Sequence, residues 1–247
     1  MSALVAAELL KLRTTRAWIG YLLAGVALTG IAAAGTVGTA EQTSLGSEEL
    51  SREILSSAGF ATVLAFVIGI VAVTMEWRHG TVTRTFLVTP RRERVLLAKE
   101  LFMLLLGAAL ALLAIVLVLA IAVPWLVVDG SSFETSGTVA YALRLIVSTM
   151  LWGALGIGVG AVVHSQTPAL VGSILWVLVG EALVTALLGL VDLEAVGDYL
   201  PGRALSAFDG SGGNGGLSMW PAGAVGVAWV VTLALLGSLR IAREDVT

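Results

Sequence analysis

The side chains that could do chemistry in this chain are few and poorly matched. Its two histidines, His79 and His164, fall on different connections with no paired carboxylates beside them, so they do not form a metal site. A haem held between helices would need histidines inside apolar stretches, and both sit at the edges of theirs. An intramembrane serine protease needs a buried serine–histidine pair. Ser148 and Ser173 lie in apolar stretches without an evident partner. The chain has no cysteine, which excludes disulfides, iron–sulfur clusters and thiolate metal sites. The glycine-rich run Asp209–Gly216 reads as a flexible linker, not a phosphate cradle. A nucleotide-binding loop would need a strand before it and a helix after it, and the same objection meets Gly156-Ile-Gly-Val-Gly160. No Gly-Lys-Ser/Thr occurs, so the chain has no P-loop of its own. No catalytic residue is assigned.

What remains is charge in unusual places. Glu181 is the one acid well inside an apolar stretch, where a charged side chain costs roughly 2.5–3.5 kcal/mol on insertion scales. Two readings stay open for it. It could be a carboxylate on a substrate path or subunit interface, or a protonated side chain bonded to a neighbouring helix. The other concentration is basic: Arg78, Arg84, Arg91, Arg92, Arg94 and Lys99 crowd one connection, broken at Thr89-Pro90, where proline ends a helix. Thr81–Val88 is expected to form a short helix on the membrane surface. Such a loop can serve simply to hold topology and touch anionic headgroups.

These residues need a scaffold, and the scaffold is apolar. Of the 247 residues, 57% are hydrophobic and 13% charged, against about 25% charged in an ordinary soluble domain. A bilayer-crossing helix needs about 20 mostly apolar residues and must satisfy its backbone internally. Stretches of that kind occur at Ala17–Gly38, Gly59–Met75, Leu101–Val128, Val139–Val163, Pro168–Val191 and Trp220–Leu239. Six such helices in so short a chain leave nothing to cover them in water. The expected fold is therefore all-α: one polytopic membrane bundle of six transmembrane helices over residues 1–247. Residues 1–16 would form a lead-in helix at the interface, with Val5, Leu9 and Leu12 on one stripe and Arg16 spoiling it. A cleaved signal peptide at Ala17–Ala34 is the lesser reading, because its core exceeds the usual 7–15 apolar residues.

Basic residues set orientation, since cytoplasmic loops retain them. Of 14 lysines and arginines, 11 fall at the N-terminus, in the Glu76–Lys99 connection or in the tail, leaving Arg52, Arg144 and Arg203 for the other side. Both termini and residues 76–99 are thus expected in the cytoplasm. On the outer side, Leu50, Ile54 and Leu55 give Thr39–Ala58 a weak helical stripe. Gly156 and Gly160 form a small-xxx-small pair suited to close helix packing, within one subunit or between two.

The run Glu76-x3-Gly80-Thr81-x5-Leu87-x2-Pro90-x3-Arg94-x4-Lys99, lying between the second and third of six spans, resembles the signature of ABC-2 type permeases, the membrane subunits of ATP-binding-cassette exporters. The lead-in helix and a Leu200-Pro201 element between the last two spans are similar too. The resemblance implies a multi-pass subunit of a bacterial cytoplasmic membrane, working as a homo- or heterodimer with a second permease subunit. It implies a separate cytosolic ATPase that binds ATP and magnesium, so that this chain carries no cofactor itself. Glu76, Arg78, Gly80, Thr81, Arg84, Leu87, Pro90, Arg94 and Lys99 would then couple to that ATPase, with Gly80 and Thr81 at the bend. Membrane lipid is an expected partner, and nucleic acid is not. An ATP-independent secondary transporter or membrane anchor remains the alternative.

Overall fold

A computed structural model of the chain describes residues 2–15, 17–41, 46–88, 91–212 and 216–243. All regular structure among them is helical. A lead-in helix α1 (Ser2–Thr14) precedes α2 (Ala17–Gly38), a short α3 (Glu48–Ser56), α4 (Phe60–Arg78), α5 (Val82–Val88), α6 (Arg92–Val128) and α7 (Thr138–Val163). Then α8 (Gln166–Leu175) passes through a π-helical turn at Trp176–Gly180 into α9 (Glu181–Gly189). Two short helices, α10 (Glu194–Gly197) and α11 (Pro201–Asp209), lead to α12 (Met219–Arg243). Six of these segments are long and apolar enough to cross a membrane: Trp18–Gly38, Glu48–Arg78, Arg92–Val128, Thr138–Val163, Gln166–Gly189 and Met219–Arg243.

Contacts at one end of the bundle set the helices in register. Arg78 at the end of α4 donates to Gln166 at the start of α8, and the Trp77 ring stacks on His164 just past α7. Arg92 at the start of α6 donates to the Ile241 carbonyl near the end of α12 at 2.5 Å. The spans therefore alternate, and α1 and the end of α12 lie at the same end. Lys11, Arg13, Arg78, Arg91, Arg94 and Lys99 gather there, so we call it the basic end; α3, α10 and α11 lie at the far end.

The centre is the α4–α7 pair, each with 56% of its most apolar window buried, against 6% for α8–α9. In a bilayer lipid is as apolar as leucine, so helices associate by close packing instead of by hydrophobic expulsion. Gly156 provides that closeness. A Cβ there would overlap the Phe66 carbonyl of α4 and sit 3.1 Å from the Ile70 nitrogen. Gly160 meets Ile70 and Val73 of the same helix, whereas Gly158 turns the other way, onto Leu233 of α12. One glycine-rich helix thus serves two neighbours.

At the far end, Ser47 caps α3 by accepting the Leu50 N–H at 3.1 Å, as expected of a serine N-cap. That fixes a face on which Leu50, Ile54 and Leu55 are buried among Ala33, Val118, Leu126 and Tyr141. Ser51 accepts the Glu134 N–H at 3.0 Å, tying the loop before α7 to the same helix.

Candidate functional site

At the basic end, four charged side chains from three helices close into one cluster. The Lys99 ammonium of α6 donates to Glu76 Oε1 at 2.7 Å, to Glu8 Oε2 at 2.8 Å and to the Ala72 carbonyl at 3.2 Å. All three of its N–H donors are thereby used. The Lys11 ammonium donates to Glu8 Oε1 at 2.6 Å and to Glu76 Oε1 at 2.7 Å. Glu8 thus bridges both lysines with separate oxygens. The cluster is neutral in sum, with Lys99 buried and Lys11 half exposed. Burial pulls the Lys11 pKa down, but the Glu76 and Glu8 carboxylates outweigh it and hold it above the ordinary 10.5. Charges buried together demand this degree of pairing, because an unpaired one is strongly destabilising.

The cluster locks the base on which α5 stands. The chain leaves α4 through Gly80, whose φ of +64° is left-handed backbone that glycine adopts without penalty. The Thr81 N–H donates back to the Glu76 carbonyl at 3.0 Å, and the Thr81 carbonyl accepts from Thr85 N–H at 3.2 Å to start α5. Val82 is buried, while Leu87, near the other end of the helix, is 77% exposed. A gap of about 170 Å³, touched by Ala7 of α1, Thr85 of α5 and Ala98 of α6, separates the helix from its base.

The basic-loop residues divide accordingly. Glu76 and Lys99 are locked inward together, Arg78 reaches α8, and Gly80 and Thr81 form the bend. Leu87 and Arg94 face outward. Pro90 and the side chain of Arg84 lie outside the described residues, as does Arg16. Glu8 was not singled out from the sequence, although a carboxylate one turn before Leu12 shares the face of Val5 and Leu12.

Glu181 lies near the far end at the start of α9. Its Oε1 accepts the Gly202 N–H at 2.8 Å and its Oε2 the Arg203 N–H at 3.0 Å. Those are free N–H groups of the first turn of α11, which a helix start leaves unsatisfied. The carboxyl group thus bonds a neighbouring helix, α11. The same carboxylate also lines a cavity of about 930 Å³ with Thr185, Asp192, Glu194, Asp198 and Ser206. Nearby, Ser148 has the partner its sequence did not reveal: its hydroxyl donates to Asp209 at 2.7 Å. No histidine joins them, and a serine–carboxylate pair alone has no general base of the triad type. Among the described residues, no group of three or more histidines or acids is placed to hold a metal ion.

No protein-family model matches this chain, and no curated protein matches it either. The functional reading therefore stands on the residues themselves.

Proposed function

We propose that this chain is the membrane-spanning permease subunit of an ABC exporter, moving its substrate with energy from ATP hydrolysed by a separate cytosolic subunit. The observation that carries this reading is the four-member ion cluster beneath α5. A helix of seven residues is marginal in isolation. Mounted on a base where α1, α4 and α6 are pinned together by buried ion pairs, it can pass a push into two spans at once. The exposed Leu87 of α5 and Arg94 at the start of α6 offer an apolar and a cationic contact. Gly80 and the gap behind Thr85 leave it room to tilt.

On this reading the basic end faces the cytoplasm of a bacterium, where its arginines would be retained. ATP and magnesium belong to the partner, since the sequence has no Gly-Lys-Ser/Thr to cradle phosphates. A second permease subunit completes the pathway, with ATP-driven closure of the ATPases shifting the pair between inward- and outward-facing states.

The test is co-expression with candidate cytosolic ABC ATPases of the same genome, followed by affinity purification and ATPase assay of any complex recovered. Gly80→Val imposes a side chain on a left-handed backbone position and should cut ATPase association or coupling at least tenfold. Membrane insertion should stay close to the parent's, and thermal stability should fall only by the roughly 1–2 kcal/mol that one left-handed residue costs. Unchanged association and coupling in this variant would remove the docking assignment, and cysteine labelling of position 87 from outside the cell would remove the orientation.

A further inference from the structure

A second cavity at the basic end, of about 230 Å³, shares Glu8 and Lys11 with the gap under α5 and runs from there along α4. Trp18 and Tyr21 of α2, Ile68, Ala72 and Met75 of α4 and Phe102 of α6 line its apolar part, and Lys11 lies at its polar end together with Glu8 and Glu76. We propose that this cavity binds an anionic phospholipid, one acyl chain inside it and the phosphate on the Lys11 ammonium.

Three observations converge on that occupant. The wall runs along α4 from Met75 to Ile68, seven residues or about 10 Å of helix, so the cavity is a slot parallel to a lipid chain. Trp18 and Tyr21, close to the start of α2, are the aromatic types that favour the headgroup level. The donor count supplies the anion. Lys99 has spent all three N–H groups inside the protein, whereas Lys11 has spent two and is half exposed. One charged N–H of Lys11 is therefore left without an acceptor among the described residues, and a phosphate oxygen is the strongest acceptor a membrane offers there. Because the cluster is neutral, its carboxylates do not repel the newcomer as a group. A basic residue close to an anionic surface contributes on the order of a fivefold preference. The site requires no ATPase and holds whichever transporter class the chain belongs to.

The experiment is native mass spectrometry of the purified full chain in mild detergent, titrated with dioleoyl phosphatidylglycerol or with phosphatidylcholine of the same chains. One phosphatidylglycerol adduct is expected, at least tenfold tighter than the first phosphatidylcholine adduct. Ala72→Phe fills the slot while leaving every charge in place, and should abolish that tight adduct. Lys11→Gln should keep weak binding and lose the preference between headgroups; Lys11→Arg should restore it. Equal affinity for the two lipids in the parent chain overturns the proposal. So does an Ala72→Phe protein, monodisperse and fully helical, that still holds phosphatidylglycerol as tightly as the parent.

Discussion

Glu181 and Gly202 stand 21 residues apart in the chain and meet where α11 begins, the Gly202 N–H donating to Glu181 Oε1 at 2.8 Å. The contact leaves no space for a side chain at position 202, where a Cβ would lie 2.6 Å from Glu181 Oε2. A carboxylate placed inside an apolar span is thus committed to holding a separate helix against it.

Replacing that carboxylate should loosen α11 before anything else. Glu181→Leu leaves two N–H groups without their acceptor, a loss of about 2 kcal/mol. Glu181→Gln keeps one oxygen and turns an NH2 group toward the other donor, so about half the loss is expected. Thermal unfolding in detergent measures the total, and hydrogen exchange at residues 202–204 locates it. Faster exchange confined to α9, with α11 unchanged, would contradict the capping role.

The two lysines of the basic-end cluster should behave very differently. Lys99→Met removes the buried cation and leaves Glu8 and Glu76 sharing Lys11, which should cost about 3–5 kcal/mol. Lys11→Met removes a half-exposed cation whose work Lys99 continues, so a loss below about 1 kcal/mol is expected. Adding Glu8→Gln to Lys99→Met leaves one carboxylate and one lysine, and should recover part of the stability. A double-mutant cycle in a common detergent reads the coupling. Additive effects of Lys99→Met and Glu8→Gln would mean the cluster does not act as a unit.

Much of this architecture was legible in the chain because lipid imposes simple demands. Apolar stretches of bilayer length located all six spans, and the stripe Leu50, Ile54, Leu55 located α3. Helix ends were less legible, since backbone hydrogen bonds do not require apolar side chains. The third span was read from Leu101, yet α6 begins at Arg92, because Lys99 can lie buried in a helix once two carboxylates meet it. The π turn at Trp176–Gly180 left no trace in a uniformly apolar segment. Glu181 announced itself as an exception, but two of its partners are backbone N–H groups of α11, and such donors have no residue type. Glu8 was missed for the opposite reason: its i,i+3 spacing to Lys11 looks like an ordinary surface pair, and only the approach of α4 and α6 makes it buried.

The raised Lys11 pKa fixes the sign of one pH effect. Folding holds the protonated form more tightly than the unfolded chain does, so the contribution is complete below the ordinary amine pKa of 10.5. It is lost as pH rises through the higher folded-state value. The stability difference between the parent chain and Lys11→Met should therefore stay level from neutral to mildly alkaline pH and shrink above that range. Denaturant titrations at a series of alkaline pH values in one detergent check it. A difference that grows with rising pH would have the wrong sign and would mean Lys11 is held by something other than Glu76 and Glu8.

Glu100, the next residue along α6, supplies the contrast that shows what the cluster is worth. It is as buried as Glu8, Glu76 and Lys99, yet neither carboxylate oxygen has a hydrogen-bond partner among the described residues. Burial without a partner is unfavourable, and removing such a group releases its desolvation cost without breaking any contact. Glu100→Met, similar in length, should raise stability by about 1–3 kcal/mol, while the same change at Glu76 strips an acceptor from two lysines and lowers it. Thermal unfolding of the two variants side by side makes the comparison. If Glu100→Met instead destabilises the chain as much as Glu76→Met does, then Glu100 has an acceptor role in the folded protein, and the basic end contains a second charged cluster.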